Sequence, residues 1–277
     1  MNYVHSYHAG GPADIVKHVA LIELMRYMQK KSTSLCYFET HTGNAVHDLT
    51  AIPAQKTREY EEGIGKIWPQ ISTSSAIEEF RQQIQKVNPD KQLAYYLGSS
   101  ALAQSYLREH DSALLCELNH EVVRDLKRFY NRDPRVHVHH RDGYEGLSAL
   151  LPSKQPRTLV LMDPPFEKND EFESLVKAHE WLYKHLRHAV VATWYPIKQR
   201  QLVTRFHQSL RNAKIPKVLI IELCLKPDDV AMRLSGSGMV IVNPPWQFDE
   251  TIKADLIALG QLLSVDNYSQ VKVEWLF

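Results

Sequence analysis

The run Thr158-Leu159-Val160-Leu161-Met162, followed directly by Asp163-Pro164-Pro165-Phe166, is the strongest structural signal in this sequence. Five consecutive residues without a charge, most of them aliphatic, predict a strand buried on both faces, as in a parallel sheet covered by helices. An acidic residue and two prolines then end the strand. Ligands bind at the carboxyl ends of strands in open α/β sheets, so Asp163 lies at the predicted binding edge.

Similar apolar runs occur along the chain and alternate with helical patterns. Besides residues 158–162, strands are predicted at 35–38, 113–116, 136–138, 189–192, 218–221, 239–242 and, in the tail, 271–277. A long helix is predicted over 13–30, where apolar residues recur along one side. This alternation favours an α/β fold, in which a largely parallel sheet carries helices on both faces.

The interval between the first two predicted strands is much longer than a crossover connection requires. It contains about 75 residues, whereas roughly a dozen suffice. Helical patterns within residues 45–88 favour a helical insertion, and Gly98-Ser99 is predicted to open a further helix. We therefore expect a main domain of residues 1–45 and 98–277 with a helical insertion of residues 46–97. A structural role is the simplest interpretation of the insertion, and a lid or nucleic-acid clamp is the alternative.

Composition and termini exclude several classes of protein. The chain has 277 residues, 44% of them hydrophobic and 23% charged, which is ordinary globular usage. No stretch approaches the roughly 18–20 uncharged apolar residues that span a bilayer, so no membrane association is expected. The N-terminus lacks the basic and apolar regions of a secretory signal. Cys36, Cys116 and Cys224 lie in apolar runs and are predicted to be buried thiols in a reducing cytoplasm.

A histidine-rich segment near the third predicted strand raises the question of a metal site. The segment contains His137, His139 and His140. Alternation along a strand places His137 and His139 on the same face, but no acidic residue accompanies them. Because a metal site needs a more complete set of ligands, we expect no metal at this position.

The formal charge is balanced overall but uneven along the chain. Lysine and arginine total 33 and the acidic residues total 32, so the net charge indicates no partner. Between residues 181 and 221, however, there are eight basic residues and no acidic one. The eight are Lys184, Arg187, Lys198, Arg200, Arg205, Arg211, Lys214 and Lys217. A solvated helix surface is the simpler interpretation, and a face that binds phosphates is the alternative.

The stretch Asp163-Pro164-Pro165-Phe166 suits a reaction at the exocyclic amino group of a nucleic-acid base. Such a nitrogen is a poor nucleophile, because its lone pair is delocalised into the ring. The carboxylate of Asp163 and the backbone carbonyl of Pro164 can together accept both N–H bonds, which draws the nitrogen toward tetrahedral geometry and exposes the lone pair. Phe166 offers a stacking face for an extruded base. A plain turn is the simpler interpretation, but the preceding strand and the following aromatic residue favour a site.

A second stretch, Asn243-Pro244-Pro245-Trp246, fits the same chemistry and also follows an apolar run. Strand order distinguishes the two stretches. Asp163 ends the fourth predicted strand, which in this architecture lies beside the first, at the topological switch point. Asn243 ends a late strand that we expect at the hairpin edge of the sheet, far from a cofactor. The prediction is therefore that Asp163 belongs to the site and that Asn243 forms a turn.

Several further motifs match one known family. The opening segment Tyr3-Val4-His5-Ser6-Tyr7-His8-Ala9-Gly10 and its spacing to Lys17-His18 are highly specific together. The other matching motifs are Ala13-Asp14, Thr40-His41, Tyr95-Tyr96, Gly98-Ser99, Glu117-Leu118, Asp142-Gly143, Asp163-Pro164-Pro165-Phe166, Trp194-Tyr195-Pro196, Ser237-Gly238-Met239 and Asn243-Pro244-Pro245-Trp246. With these residues the sequence resembles, over nearly its whole length, the RlmJ family of adenine-N6 methyltransferases of 23S ribosomal RNA.

The resemblance implies a fold, a cofactor and a set of site residues. The implied fold is the Rossmann-like class I methyltransferase sheet with a helical insertion after the first strand. The implied methyl donor is S-adenosylmethionine, which leaves S-adenosylhomocysteine and requires no metal. The residues implied to contact the cofactor are His18, His41, Ser99, Glu117, Asp142, Gly143 and Asp163. Asp163 is also the implied catalytic residue, and Tyr3, His5 and Lys17 are implied to border the pocket for the target base.

For three of these residues, at the ends of two predicted strands, the position in the fold also indicates a binding role. Glu117 ends the second predicted strand, where a carboxylate can accept from both ribose hydroxyls. Asp142 and Gly143 follow the third strand, where the carboxylate can accept from an adenine amino group and the glycine lets the ring approach the backbone. Each acid on its own is more often a solvated turn residue. Their occurrence at successive strand ends, in the expected order, favours the binding role.

Two segments depart from the family pattern. The first strand ends in Glu39-Thr40-His41-Thr42-Gly43-Asn44-Ala45, with one glycine where the family reads closer to His-Ala-Gly-Ala-Gly. Thr42 and Asn44 thus alter a loop that needs close backbone approach to the cofactor. Gly10-Gly11-Pro12 stands where the family usually has Gly-Asn-His, which removes a polar pair near the proposed base pocket. These departures raise the hypothesis of a changed substrate or a weakened activity.

Three hypotheses of function follow. In the first, which we favour, a monomeric cytoplasmic enzyme transfers a methyl group from S-adenosylmethionine to the N6 amino group of one adenine in 23S ribosomal RNA. The basic stretch from Lys184 to Lys217 then helps to hold the RNA backbone. In the second, the substrate is adenine in DNA, or the protein is linked to the use of external DNA. In the third, a non-enzymatic nucleic-acid-binding protein has kept the fold while its cofactor loop decayed.

Overall fold

The computed structural model describes residues 5–227, 234–264 and 266–276, and it contains one large and one small sheet. The strands are β1 (Leu35–Glu39), β2 (Val46–Asp48), β3 (Tyr95–Leu97), β4 (Ser112–Glu117), β5 (Val136–His140), β6 (Arg157–Met162), β7 (Val190–Ile197), β8 (Val218–Cys224), β9 (Gly236–Val242) and β10 (Gln270–Trp275). The pair β2–β3 forms the small antiparallel sheet. The other eight strands form the large sheet.

Helices surround the large sheet. A short 3-10 helix covers His5–Tyr7. The α-helices are α1 (Pro12–Met28), α2 (Ile52–Thr57), α3 (Glu59–Glu62), α4 (Ile64–Ile67), α5 (Ser75–Lys86), α6 (Ser99–Gln104), α7 (His120–Phe129), α8 (Gly143–Leu150), α9 (Glu171–His185), α10 (Arg200–Asn212) and α11 (Phe248–Leu263). Within the described residues, no helix is both long enough and apolar enough to cross a membrane.

The order of strands in the large sheet is β10-β8-β9-β7-β6-β1-β4-β5. Strands β5, β4, β1, β6 and β7 are parallel to one another, whereas β9 runs antiparallel to both β7 and β8, and β10 runs antiparallel to β8. Numbered within this sheet, the order is 3-2-1-4-5-7-6-8 with a reversed seventh strand. This is the Rossmann-like class I arrangement, and the predicted fold class is confirmed.

The predicted elements agree with the structure because most of them rest on uncharged runs that are buried on both faces. All five residues of β1 and all seven of β8 are buried. The first helix occupies Pro12–Met28 rather than 13–30, and its proline takes the first helical position, where a missing N–H is not needed. The tail strand is present as Gln270–Trp275. The three cysteines are buried free thiols, as predicted.

Helix α1 is the central helix of the molecule. Twelve of its 17 residues are buried, because α5, α6 and α11 pack around it and it also contacts β7 and β9. Its core-facing side is aliphatic, with Ile15, Leu21 and Ile22 fully enclosed. Burial on nearly all sides also encloses the polar residues of its first turns, Asp14, Lys17 and His18. These polar residues therefore need partners inside the protein.

The elements between β1 and β4 pack against α1. Strands β2 and β3 and helices α2 to α5 all lie in this interval. Helix α2 packs on the 3-10 helix, α5 packs on α1, and α4 contacts α11. A backbone hydrogen bond of 2.8 Å from the Ile64 amide to the Gly10 carbonyl links the interval to the opening segment. The division of the chain into a main domain and an insertion at residues 45 and 98 stays a prediction.

The position of β9 corrects one expectation. We predicted that Asn243 ends a strand at the hairpin edge of the sheet, but β9 lies inside the sheet between β7 and β8. Because β9 runs antiparallel to β7, its last residue, Val242, lies opposite Val191 near the beginning of β7. Asn243 is therefore remote from Asp163, as expected, but because of strand direction rather than strand order.

The basic stretch between residues 181 and 221 does not form one surface beside the predicted site. Strand β7 lies in its middle, and eight residues of extended chain span about 25 Å. Arg187 precedes the strand and Lys198 follows it, so they lie at opposite edges of the sheet. Helix α10 then returns the chain, and Lys217 lies beside Asn243 at the far edge, where its carbonyl accepts from the Asn243 amide at 3.0 Å. A single phosphate-binding face, which was the alternative interpretation of this stretch, is therefore not formed.

Candidate active site

Asp163 lies at the carboxyl end of β6 and is paired with a lysine from the central helix. The Nζ atom of Lys17 donates to Oδ2 of Asp163 at 2.5 Å and also lies 2.8 Å from Oδ1 of Asp14. The Lys17 side chain is only 4% exposed and that of Asp163 13%. The other oxygen of Asp14, Oδ2, accepts from the Gly10 amide at 3.0 Å. A nearly buried ammonium group is thus enclosed by two carboxylates.

The charge of Lys17 is fixed by these neighbours. Burial by itself lowers the pKa of a lysine, but the negative charges of Asp14 and Asp163 outweigh burial and hold the pKa of Lys17 above its usual value. Lys17 is therefore an ammonium ion over the whole physiological pH range. It acts as a charge partner and hydrogen-bond donor for Asp163, and it does not act as a base.

Two cavities meet at this ion pair, and we call them the small cavity and the large cavity. The small cavity has a volume of about 270 Å³ and lies among the loop after β1, the start of α6 and the end of β4. The large cavity has a volume of about 520 Å³ and lies among α1, α2, α3 and the ends of β6 to β9. Lys17, Asp163 and Pro165 line both cavities. The two cavities are therefore adjacent, and the ion pair forms part of the wall of each.

The small cavity brings together most of the residues that the resemblance assigns to the cofactor. They are His18, His41, Ser99, Glu117 and Asp163. The loop after β1 forms one wall. Its threonine side chain, at Thr42, donates to the Cys116 carbonyl at 3.0 Å, and the Gly43 amide donates to Oε2 of Glu117 at 2.9 Å. With only one glycine, at φ +64°, the loop is thus held in shape by hydrogen bonds to the end of β4.

Glu117 is held rigidly at the end of β4. Its Oε1 accepts from the amides of Leu118, at 2.8 Å, and Asn119, at 2.7 Å, while its Oε2 accepts from Gly43. Three backbone donors fix the position of the carboxylate. Glu117 therefore presents a preorganised acceptor to the small cavity, and it also fixes the shape of the neighbouring loop.

Asp142 and Gly143 lie beside the small cavity but do not line it. Oδ1 of Asp142 caps α8, where it accepts from the amides of Tyr144 at 2.9 Å and Glu145 at 3.2 Å. A Cβ atom at residue 143 would lie 2.0 Å from the carbonyl oxygen of Thr40. The sequence interpretation attributed the missing side chain of Gly143 to an approaching ring. In the structure, the backbone at the end of β1 occupies that space.

The two histidines of the small cavity are fixed by different partners. Nδ1 of His18 is hydrogen-bonded to the hydroxyl of Tyr96 at 2.6 Å, and the two rings are stacked with centroids 5.4 Å apart. Nδ1 of His41 is hydrogen-bonded to the hydroxyl of Thr40 at 2.8 Å. Burial lowers the pKa of His41, so its ring is neutral near pH 7. Both rings are thus oriented before any ligand binds.

Glu39 is a buried acid of the site to which the sequence interpretation gave no role. It ends β1, its exposed fraction is zero, and its Oε1 accepts a hydrogen bond from the hydroxyl of Ser99. Burial raises the pKa of Glu39 to about 8, although the bond from Ser99 and the charge of Lys17 lower it. The sequence feature that could have indicated a role for Glu39 is a charged residue at the end of an otherwise apolar strand. Asp14 matched a motif of the family, but the sequence interpretation gave it no role either.

The aromatic residue of the Asp163-Pro164-Pro165-Phe166 stretch forms a wall of the large cavity. Phe166 adopts a left-handed backbone conformation with φ +50°, and its ring meets those of Phe172, at 5.1 Å, and Trp194, at 5.8 Å, edge to face. Pro164, Pro165, Phe166 and Trp194 all line the cavity. A planar apolar surface thus stands directly beside the Asp163 carboxylate.

The opening segment contributes the opposite wall of the large cavity. His8, Gly11 and Pro12 line this wall. Nδ1 of His8 is 2.9 Å from Oε1 of Glu59, and this hydrogen bond raises the pKa of His8. Tyr3 lies outside the described residues, and the backbone of His5 begins the short 3-10 helix. The positions of the Tyr3 and His5 side chains therefore stay predictions.

Asn243 forms a closed turn at the other edge of the sheet. Its side-chain amide donates to the carbonyls of Arg187 and Ala189, both at 2.9 Å. It lines neither cavity. The histidines of β5 also lie apart from the site, and no group of three or more potential metal ligands is found in the described part of the chain.

The strand order of the large sheet is that of a class I methyltransferase, and comparison with known proteins identifies the family. Residues 32–277 match the family model described as ribosomal RNA large subunit methyltransferase D, RlmJ. The chain therefore belongs to the RlmJ family. Two relatives, each named ribosomal RNA large subunit methyltransferase J, match 100% of this chain over 99% of their own length. The one from Haemophilus influenzae (strain ATCC 51907 / DSM 11121 / KW20 / Rd) is 36% identical and the one from Escherichia coli (strain K12) is 33% identical.

A solved structure shows the same architecture. A protein from Legionella pneumophila str. Philadelphia 1 is 32% identical to this chain and superposes with a TM-score of 0.89. The match covers 96% of this chain and 98% of that protein. The fold described above is thus shared across the full length of a relative.

Proposed function

We propose that this protein transfers a methyl group from S-adenosylmethionine to the N6 amino group of an adenine in 23S ribosomal RNA. The observation that carries the proposal is the Asp163–Lys17 pair, because it stands where the small and large cavities meet. One cavity suits the methyl donor and the other suits the acceptor base. The names of the two relatives, which specify ribosomal RNA of the large subunit, support the choice of substrate.

The residues of the small cavity fit S-adenosylmethionine. Glu117, fixed by three backbone amides, offers acceptors for the ribose hydroxyls, and Asp142 stands close by for the adenine amino group. Ser99, His18 and His41 supply polar groups on the side nearer to Asp163. When bound, this molecule supplies a methyl group activated by a positively charged sulfur. The protein has to bind it, align it and keep the target nitrogen in line.

The large cavity fits an extruded adenosine. We assign its ring to the face of Phe166, which stands against Trp194 and Phe172 and cannot easily turn away. Lys17 donates to Oδ2 of Asp163, and we assign Oδ1 of Asp163 and the Pro164 carbonyl to the two N–H bonds of the N6 amino group. This arrangement exposes the nitrogen lone pair toward the small cavity.

The ammonium group of Lys17 fixes the orientation of the Asp163 carboxylate. Each oxygen of a carboxylate can accept hydrogen bonds, so Oδ2 accepts from Lys17 while Oδ1 remains available to the amino group. Held by the residues of the small cavity, the donor would supply its methyl group to the N6 nitrogen and leave as S-adenosylhomocysteine, and Asp163 or water would take the proton that the nitrogen loses. No residue forms a covalent bond with the substrate. The contribution of the chain is alignment and charge stabilisation, which together account for large rate factors.

The first experiment measures methyl incorporation from labelled S-adenosylmethionine into 23S ribosomal RNA that lacks base modifications. We expect wild-type protein to methylate adenine N6. We expect Asp163→Ala to lose transfer by about 10²–10³-fold or more while it still binds the cofactor. Asn243→Ala, which changes the similar stretch at the far edge of the sheet, is the matched control and should transfer at the wild-type rate per folded molecule.

The alternatives correspond to distinct outcomes. Undiminished transfer by Asp163→Ala contradicts the assignment of the site. Incorporation into duplex DNA but not into ribosomal RNA supports the DNA hypothesis, because the amino group is the same in both nucleic acids. Failure of the wild-type protein to bind S-adenosylmethionine in calorimetry supports the non-enzymatic hypothesis. Membership in a methyltransferase family and the ordered loop at Thr42 and Gly43 support the enzyme.

A further inference from the structure

One side of the mouth of the large cavity carries two exposed lysines. Lys198 follows β7 and Lys226 follows β8, and both line the cavity. Ser235 lies between them, because its amide donates to the Ile197 carbonyl at 2.9 Å and its carbonyl accepts from the Lys226 amide at 3.1 Å. Neighbouring strands are just under 5 Å apart, so the two lysine backbones are about 10 Å apart. Both lysines thus line the same side of the cavity.

These two lysines carry charge that no described acid neutralises. Among the described residues, no carboxylate lies within ion-pair distance of Lys198 or Lys226, whereas the neighbouring Arg200 pairs with Glu222 at 2.6 Å. Surface lysines without a partner can exchange bound water and counterions for an anionic ligand at little cost.

The acids that line the large cavity, among the residues that the structure describes, are all engaged elsewhere. Asp14 and Asp163 hold Lys17. On the opposite wall, Glu59 is bonded to His8, and Glu62 lies 2.7 Å from Lys66. The mouth is therefore asymmetric, with a wall of internally paired charges on the side of α2 and α3 and a cationic wall at the ends of β7 and β8.

We propose that Lys198 and Lys226 bind backbone phosphates on the two sides of the target nucleotide. This inference rests on the proposed function, since it assumes that a nucleotide enters the large cavity. A base that is inserted to reach Asp163 leaves its sugar and its flanking phosphates at the mouth. Phosphate contacts of this kind fix the position and direction of the strand, whereas the base itself is read inside the pocket. Lysine suits this task because its ammonium group is a compact charge on a flexible stem.

The proposed phosphate contacts involve only one residue of the basic stretch between residues 181 and 221. Of the eight basic residues between 181 and 221, Lys198 is the one that lines the large cavity. Lys184 and Lys217 are equally exposed but lie toward the far edge of the sheet, about 25 Å away. Lys226 lies outside that stretch, and the pairing of β9 with both β7 and β8 brings it to the same side of the cavity as Lys198.

The test measures affinity for the 23S ribosomal RNA fragment that serves as substrate, over a series of salt concentrations. Each phosphate contact contributes about 0.7–0.9 to the slope of log affinity against log salt. Lys198→Ala and Lys226→Ala should each reduce the slope by about that amount and weaken binding several-fold at low salt, and the double variant should show about twice the change. Lys198→Arg should keep the wild-type slope, because it keeps the charge.

Matched controls come from the far edge of the sheet. Lys184→Ala and Lys217→Ala remove the same charge from equally exposed positions and should leave the slope and affinity unchanged. The four single alanine variants should keep wild-type thermal stability and cofactor affinity. At saturating RNA all four should keep the wild-type kcat, and only Lys198→Ala and Lys226→Ala should have a raised KM.

The failures of the two proposals are distinguishable. If the wild-type protein methylates ribosomal RNA and the Lys198→Ala, Lys226→Ala double variant keeps its salt slope, the phosphate assignment is overturned while the proposed function stands. An equal loss of slope in the far-edge controls also overturns it, because the effect then reflects total charge. If the wild-type protein neither binds nor methylates the RNA, the proposed function itself fails, and the inference fails with it.

Discussion

Two stretches of this chain have the same pattern of residues but lie at opposite edges of the sheet. Asp163-Pro164-Pro165-Phe166 follows the parallel strand β6, and Asn243-Pro244-Pro245-Trp246 follows the antiparallel strand β9. Because the two strands point in opposite directions, the first stretch lies at the ligand-binding edge of the sheet and the second at the far edge. A polar residue, two prolines and an aromatic ring therefore do not specify a site by themselves. The direction of the preceding strand does.

The polar residues of the two stretches, Asp163 and Asn243, also have different kinds of hydrogen-bond partner. Asp163 is held by the side chain of Lys17, a charged group on another element, and its stretch opens onto two cavities. Asn243 is held by two backbone carbonyls that come before β7 in the chain. Phe166 is packed between two aromatic rings, whereas Trp246 is 79% exposed. One end of the sheet thus carries a side-chain ion pair beside two cavities, whereas at the other end the polar side chain bonds to backbone carbonyls.

The largest effect that sharpens this comparison is expected from Lys17→Met. The variant leaves the carboxylates of Asp14 and Asp163 buried without their cation, and breaking a buried ion pair in this way costs about 3–5 kcal/mol of unfolding free energy. Urea denaturation measures the loss. Combining Lys17→Met with Asp163→Asn should restore part of it, because one of the two unpaired charges is removed.

The matched control for Lys17 is Lys214→Met, which removes an exposed lysine toward the far edge of the sheet. Exposed substitutions of this kind change stability by less than about 0.5 kcal/mol. Equal losses for the two variants contradict the view that charge is concentrated at one end of the molecule.

A smaller effect is expected from Glu39→Gln, and it depends on pH. Burial raises the folded-state pKa of Glu39 to about 8 from the ordinary value of 4.5, so the folded protein binds this proton more tightly than the unfolded chain does. The resulting stabilisation is complete below pH 4.5 and is lost as the pH rises through 8. We expect wild-type stability to fall by about 2 kcal/mol more than that of Glu39→Gln between pH 6 and pH 8.

Thermal or urea unfolding of both proteins at pH 6, 7 and 8 measures this difference. Glutamine keeps an acceptor for the Ser99 hydroxyl and has no proton to lose, so the variant should be the more stable protein at pH 8. Parallel pH profiles for the two proteins show instead that Glu39 titrates with its ordinary pKa in the folded state.

The smallest effect is expected from Asn243→Ala. Loss of the hydrogen bonds to the Arg187 and Ala189 carbonyls should cost about 1–2 kcal/mol of unfolding free energy. Residue 243 has φ +53°, which adds strain for alanine, so Asn243→Gly separates the two causes: it loses the same bonds without that strain. Methyl transfer per folded molecule should be unchanged in both variants. A large loss of transfer gives the far edge a role in the reaction and breaks the comparison.

Much of the fold was predictable because it rests on local patterns. Uncharged runs such as 35–38, 158–162 and 218–221 have one stable environment, a strand covered on both faces, and each was found there. The usual strand order at the topological switch point then predicted that Asp163 lies beside the first strand. The contributions of Asp14 and Lys226 were not predictable, because they depend on packing between elements that are far apart in sequence.

The basic stretch and Gly143 show why the remainder of the site required the structure. Lys198 and Lys217 belong to one run of the sequence, yet β7 and the return through α10 carry them to opposite edges of the sheet. Gly143 has the right residue type for close approach, but the atom that approaches is the carbonyl oxygen of Thr40. Spacing along a chain sets which residues alternate or repeat, and it does not set which distant backbone fills a gap.

The sequence by itself determined the class of fold, the buried strands and the carboxylate at the end of β6, since burial and backbone restriction act over a few neighbouring residues. The tertiary structure alone decided that β9 is reversed, that Lys17 reaches Asp163 across 146 positions of the chain, and that the two cavities join at this pair. Those outcomes depend on the packing of α1 among several elements. The contacts in that packing join residues far apart in the chain, so no short stretch of sequence specifies them.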